Sequence, residues 1–316
     1  MANTFLRNLS PSAKVIIFLP LTFVFGLIFS GLAMLALSAN LGLSYQEVFE
    51  IVSGQREDPN DIQILRWANA ANQVGSFLVA SLVFVLMFSR DAVDDFWSKR
   101  GSWMLLFVPV FMIFTLSQIE WTIRLNEWFI PEGGVLEGMF KPLEERAGQM
   151  TERMMQMPNV SDLFLNLLLF AALPAVGEEL AFRGIVQSQM AKATKNIHLS
   201  IWITAIVFSA IHMQFYGFLP RLMLGAIFGY LLIWSGTIWA PILAHFTNNA
   251  LAVVTYYYIQ HDPSFTDGQL ENQAASPLIT VISIVIFVGF LMIFTRYSKW
   301  SEISGKYLFF DNQSIR

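Results

Sequence analysis

The sequence contains no cysteine. That excludes a disulfide framework, a thiolate nucleophile and any cysteine-ligated metal. Charge is scarce as well: Asp, Glu, Lys and Arg make up 13% of the 316 residues, about half the roughly 25% of a soluble domain. The net charge of −4 offers no basic footprint for nucleic acid. Histidine occurs only four times, and no His-Glu-x-x-His is present, so the helical signature of many zinc proteases is missing. Internal repeats, low-complexity tracts and a dividing linker are also missing, and residues 1–316 read as a single transmembrane domain.

What remains is apolar: 55% of residues are hydrophobic and 15% aromatic. Several runs approach or exceed the ~18 apolar residues of a spanning helix. Eight segments stand out, at 15–37, 71–88, 101–119, 161–182, 199–214, 218–235, 239–258 and 277–294. Lipid leaves backbone groups no partner outside their own segment, so each is expected to be a helix. The predicted fold class is all-α, a polytopic membrane bundle of about eight transmembrane helices. The first run exceeds the ~7–15 residues of a secretory h-region. It reads as a retained helix, although Ala-Leu-Ser-Ala at 36–39 faintly resembles a cleavage site.

Positive charge sets the expected orientation. With the N-terminus inside, the inner segments hold Arg7, Lys14, Arg90, Lys99, Arg100, Arg183, Lys192, Lys195, Arg296, Lys299, Lys306 and Arg316. The outer loops hold Arg56, Arg66, Arg124, Lys141, Arg146 and Arg153. This excess predicts a multi-pass plasma (inner) membrane protein with both termini cytoplasmic. The outer loop at about 120–160 contains KPLEERAGQMTERMMQM, 141–157, in which charges alternate with methionines. It reads as an amphipathic helix lying on the membrane or over the bundle.

The chemistry-bearing residues fall on three apolar segments. Glu178 and Glu179 border the run 163–176, and Arg183 follows Glu179 by one turn, the favoured order for an ion pair. An ionisable group inside a membrane segment marks a functional site by default. Adjacent helical residues point about 100° apart, so the two carboxylates are expected to divide their labour. Glu179 would be neutralised by Arg183, leaving Glu178 free. Both could instead cap the helix end near headgroups, although negative charge is unfavourable at a helix C-terminus. His212 closes Phe208-Ser-Ala-Ile-His212. His245 and Asn249 are four apart and share a helix face. Two N–H donors aimed at one point can hold an oxyanion. The same pair could equally serve as interhelical glue, and Asn248 points elsewhere. Pro174 and Pro241 each stand four residues before a motif and are expected to bend their helices. His198 and His261 receive no role.

In order and spacing, Glu-Glu-x-x-x-Arg at 178–183, Phe-x-x-x-His at 208–212 and His-x-x-x-Asn at 245–249 resemble the CPBP family. That family comprises the CAAX prenyl endopeptidases and the bacteriocin-processing or immunity (Abi) proteins. The resemblance covers a catalytic core at about 160–258. It implies an intramembrane endopeptidase acting on a membrane-embedded or lipid-anchored peptide or protein. Glu178 is then the base that activates water, and His212 its partner in holding that water. His245 and Asn249 are the oxyanion donors, and Glu179 and Arg183 supporting residues. The expected cofactor is none. Zinc held by Glu178, His212 and His245 is the runner-up, disfavoured because a metal-bound His245 nitrogen could not also donate to an oxyanion. Two other classes stay open: a non-catalytic partner-binding or immunity protein, and a transporter or proton relay. The second lacks the internal symmetry many transporters show.

One geometric demand follows. Hydropathy alone puts Glu178 near the inner end of its helix and His212 near the outer end of the next. They share a water only if the glutamate helix continues, buried, to about Gln189.

Overall fold

The computed structural model describes residues 6–56, 58, 61–88, 103–130, 133–262 and 277–298. Among these residues every regular element is helical, and a helix lies at each of the eight apolar segments. The all-α expectation holds. Four helices are long and apolar enough to cross a membrane on length and composition: Pro11–Leu41 (α1), Ile62–Phe88 (α3), Val160–Thr194 (α6) and the stretch Phe215–Ser235, whose regular part is Phe218–Ser235 (α8). Ile197–Ala210 (α7) is apolar but shorter. Val108–Trp128 (α4), Trp239–His261 (α9) and Pro277–Arg296 (α10) complete the set. Two further helices, Tyr45–Val52 (α2) and Val135–Met154 (α5), lie in the connections.

The burial pattern is that of a protein solvated by lipid. Phe23, Leu27 and Leu32 of α1 and Val281, Val285 and Met292 of α10 are exposed. Glu179, Arg183, Asn166 and Ser200 are fully enclosed. Water would not tolerate so much exposed apolar surface beside so polar an interior. The chain is a multi-pass membrane protein.

Helix boundaries differ from the sequence reading in instructive ways. The segment placed at 101–119 is a short 3₁₀ turn, Trp103–Leu106, followed by α4 from Val108. Pro109 fits the first turn of a helix, where its missing N–H is no loss. The helix then carries on through Glu120 and Arg124, an i,i+4 ion pair at 3.3 Å. The segment placed at 71–88 begins nine residues earlier, at Ile62. Arg66, counted among outer-loop charges, is thus a helix residue and is 1% exposed. It donates to the Met154 carbonyl at 2.9 Å, to Asp162 at 2.9 Å and to the Gln156 carbonyl. Gln260 of α9 grips the same turn, donating to the Met155 carbonyl and accepting from the Met157 N–H, each at 2.8 Å. The link from α5 to α6 is therefore pinned from two sides. The amphipathic stretch read at 141–157 lies on α5, which starts at Val135 and stops at Met154. Arg90, Lys99, Arg100, Lys299, Lys306 and Arg316, used for orientation, lie outside the described residues.

Close helix crossings rely on glycine. A Cβ on Gly75 of α3 would stand 2.4 Å from the Phe25 carbonyl of α1, and one on Gly177 of α6 would meet the Phe77 side chain of α3 at 3.0 Å. Small residues let membrane helices approach backbone to backbone. Gly177 thus seats α3 directly against the turn that carries Glu178.

Candidate active site

The first requirement was length in the glutamate helix, and α6 provides it. It runs unbroken for 35 residues, Val160–Thr194, with Glu178 at its middle. Lys195, in the left-handed conformation, and Asn196, whose side chain accepts from the Leu199 N–H at 3.1 Å, turn the chain into α7. The two helices are antiparallel neighbours. The Phe182 and Phe208 rings meet edge to face, centroids 5.1 Å apart. One turn back from Phe182 is Glu178; one turn on from Phe208 is His212. The acid and the first imidazole therefore lie at one level, as the sequence demanded.

α7 ends at Ala210, short of the predicted 214, and its 14 residues measure about 21 Å. It does not span a bilayer core of about 30 Å alone. α6 continues about 27 Å beyond Glu178 toward Val160. The site thus lies at a step, where α7 stops and α6 carries on.

Two π-helical stretches interrupt α6, Leu167–Ala172 and Leu180–Gln187, flanking the glutamates. Such wider turns re-aim side chains and recur at functional sites. Here both carboxylates reach the same ring. His245 Nδ1 is 2.9 Å from Glu179 Oε1, and His245 Nε2 is 4.0 Å from Glu178 Oε2. The expectation that the two acids face different spots is corrected: they bracket one imidazole, one at each nitrogen.

Glu179 Oε1 also accepts from Arg183 Nη1 at 2.8 Å, and Arg183 Nη2 donates to the Gly225 carbonyl at 2.8 Å. Glu179 and Arg183 are both 0% exposed. The guanidinium lies over the Phe208 ring at 5.0 Å and the Phe228 ring at 5.3 Å. His245 stacks on Phe228, centroids 5.1 Å apart. Phe208 touches both imidazoles, at 5.1 Å from His212 and 6.0 Å from His245. Sequence reasoning quoted Phe208 in its motif without a role and did not single out Phe228. Phe208 had a signal, being one turn from His212, but nothing marked Phe228 among 29 phenylalanines.

Hydrogen bonds assign the ring nitrogens. A carbonyl only accepts, so His212 Nδ1 donates to the Phe208 carbonyl at 2.7 Å, and a neutral ring keeps its lone pair on Nε2. Glu179 likewise accepts a hydrogen bond from His245 Nδ1–H. For His245 Nε2 to donate as well, the ring must carry a proton on both nitrogens.

Asn249 spends one N–H within the bundle. Its Nδ2 donates to the Phe170 carbonyl of α6 at 3.2 Å. In an α-helical register the partner of that carbonyl would be the residue four on, Pro174, which has no N–H. Asn248, read as pointing elsewhere, donates to Asn249 Oδ1 at 3.1 Å. Pro241 bends nothing: it lies in the first turn of α9, where the missing N–H has no intrahelical role. Removing the carboxamide with Asn249→Ala should leave the Phe170 carbonyl unpaired and cost about 1–3 kcal/mol. Pro174→Ala restores an N–H at that position, and in that background the same change should cost markedly less. Thermal unfolding of the four proteins in detergent reads the difference; equal costs in both backgrounds would remove the proline–asparagine pairing.

The zinc set fits poorly. Among the described residues no three His, Asp or Glu side chains are gathered as a metal-holding group. His245 already engages Glu179 through one nitrogen and stands 4.0 Å from Glu178 through the other. No step is therefore routed through a metal. A cavity of about 350 Å³ adjoins the site along the α6–α9 seam, lined by Ala172, Ala175, Val176, Ile242, Leu243 and Phe246 among others. Its walls are apolar, and none of the motif residues lines it.

Comparison with known proteins falls on this same region. Residues 160–251 match the family described as Type II CAAX prenyl endopeptidase Rce1-like. The chain is also similar to an uncharacterized protein, YpbD, of Bacillus subtilis (strain 168), with 27% identity over 93 residues. That stretch is 28% of this chain and 42% of the relative, so the match spans less than half of the relative's length. No solved structure matches. The resemblance carried by the three motifs holds over this segment.

Proposed function

We propose that this protein, whose residues 160–251 match the Rce1-like family of type II CAAX prenyl endopeptidases, is an intramembrane endopeptidase that uses Glu178 to activate water. One observation carries the reading. Glu178 and His245 face each other at 4.0 Å, buried, at the level of His212. That gap is too long for a hydrogen bond and short enough for one water to touch both groups from the side.

The steps follow from the hydrogen-bond assignments. Water binds with one hydrogen toward the Glu178 carboxylate and the other toward the His212 Nε2 lone pair. Glu178 takes a proton as the water oxygen attacks the amide carbon. The negative charge that forms on the amide oxygen is met by His245 Nε2–H, the imidazolium held in place by Glu179. Asn249 keeps a second N–H beyond the one given to Phe170, and this is its oxyanion donor. Collapse of the tetrahedral intermediate breaks the C–N bond, and Glu178 returns its proton to the leaving amine. Placing the acid and donors away from water makes each of these interactions stronger than in solution.

The substrate is a membrane-embedded or lipid-anchored peptide or protein, a class supported by the apolar cavity beside the site. The metal-free route is favoured by the absence of a three-ligand set among the described residues. Both termini face the cytoplasm on the charge count. Peptides from membranes of cells carrying wild type or Glu178→Gln test the reading. A defined set of cleavage products should appear only with wild type, and a zinc chelator should leave it intact. Identical peptide sets would return the protein to a non-catalytic binding role; loss on chelation would make it a metalloenzyme.

A further inference from the structure

His212 stands outside any regular helix, on the α7–α8 connection, and something must hold it level with Glu178. Its own bond to the Phe208 carbonyl is local. The next residue, Met213, has a positive φ of 54°, a strained conformation for an L residue. Left to itself this connection would relax. The helix that follows is poorly capped: Gly217, at the N-cap of α8, has no side chain to offer the first-turn N–H groups.

The missing cap arrives from another helix. Asn126, on α4, is 4% exposed. Its Nδ2 donates to the Phe215 carbonyl at 2.8 Å and its Oδ1 accepts from the Leu219 N–H at 2.9 Å. One carboxamide thus spans the 3₁₀ turn Phe215–Gly217 and the start of α8. Arg221 takes the other side, donating to the Gln214 side chain at 3.2 Å and to the Gln214 carbonyl. Ser209 donates to the Phe218 carbonyl at 2.7 Å, drawing the end of α7 to the start of α8.

We propose that Asn126 is a positioning residue for His212: by clamping Phe215 and Leu219 from α4 it fixes the loop that sets the height and ring orientation of the imidazole. Asn126 lies outside the family-matched segment, so the α4 helix contributes to the geometry of the site without touching it. The inference rests on the reading of His212 as a water-holding group, and its test separates the two. Histidine-selective ¹⁵N labelling of the purified full-length protein in detergent gives only four imidazoles, assignable by single His→Gln changes. Asn126→Ala should move the two His212 ring nitrogens, as the Phe208 bond loosens and tautomers mix, and leave His245 in place. Turnover of a wild-type substrate found in the peptide comparison should fall about tenfold in kcat with little change in KM. Asn126→Asp, which keeps acceptance from Leu219 and loses donation to Phe215, should give a smaller shift of the same sign; it also serves should the alanine variant not fold. A lower unfolding temperature with His212 resonances unchanged in both variants would overturn the proposal. If the resonances move while wild type shows no cleavage of any peptide, the clamp stands and the peptidase reading falls.

Discussion

Glu178→Gln should lower turnover by about 10²–10⁴-fold, the usual contribution of a general base, and leave the fold intact. The amide has the same shape, and glutamine can still meet His245 across the 4.0 Å gap. What it cannot do is take a proton from water and return it to the leaving amine. The loss should therefore lie in kcat, with KM near wild type, because the base acts on the water and not on the bound chain. Far-ultraviolet dichroism and the unfolding temperature should match wild type within error. Because Glu178 is 5% exposed with no cation as close as Arg183 is to Glu179, the variant should be no less stable. A proton-coupled transporter would lose coupling with the same substitution but would never have shown peptide turnover. An immunity or docking protein would keep its phenotype.

Arg183 should show the largest effect on stability. It is wholly buried, ion-paired with Glu179, bonded to the Gly225 carbonyl and enclosed by Phe208 and Phe228. Arg183→Met leaves the Glu179 carboxylate buried with only the His245 N–H for company. Breaking such a pair from one side costs about 3–5 kcal/mol, whereas replacing both partners by apolar residues is often close to neutral. Arg183→Met combined with Glu179→Met should accordingly recover most of the lost stability while remaining inactive, since His245 loses the carboxylate that holds its ring. Arg183→Lys should fall between, because an ammonium does not reproduce the planar fork that serves Glu179 and Gly225 together. Unfolding measurements on these three variants and on Glu179→Met alone decide the matter. Additive losses in the double variant would mean that the pair is not coupled.

How much of this was legible in the residues varies by element. The eight helices were readable because lipid forbids other backbone solutions, and apolar length is a coarse, robust signal. The extension of α6 to Thr194 was readable only by requiring Glu178 and His212 to meet; hydropathy falls after 182 because Arg183 and Gln187 are polar, yet both are buried against α8. The shift of the third segment to Val108–Trp128 was hidden by Glu120 and Arg124, whose mutual pairing makes them tolerable in a helix. Arg66 was misplaced in a loop because most of its partners are backbone carbonyls some ninety residues away, which leave no trace in composition. Within the site, residue types and spacing singled out side chains on three helices but not their bonds. Pro174 announces that the Phe170 carbonyl is free; which helix brings the carboxamide to it is a tertiary fact. The bracketing of His245 by both glutamates depends on π turns that no simple 100° periodicity contains.

The claim beneath all of this is that Glu178 and His212 hold one water beside His245. An experimental structure at a resolution that shows ordered solvent measures it directly. A shared site predicts a single water about 3 Å from both a Glu178 carboxylate oxygen and His212 Nε2, with His245 Nε2 facing it. Protein side chains filling the space between Glu178 and His212, with no common solvent, would contradict it.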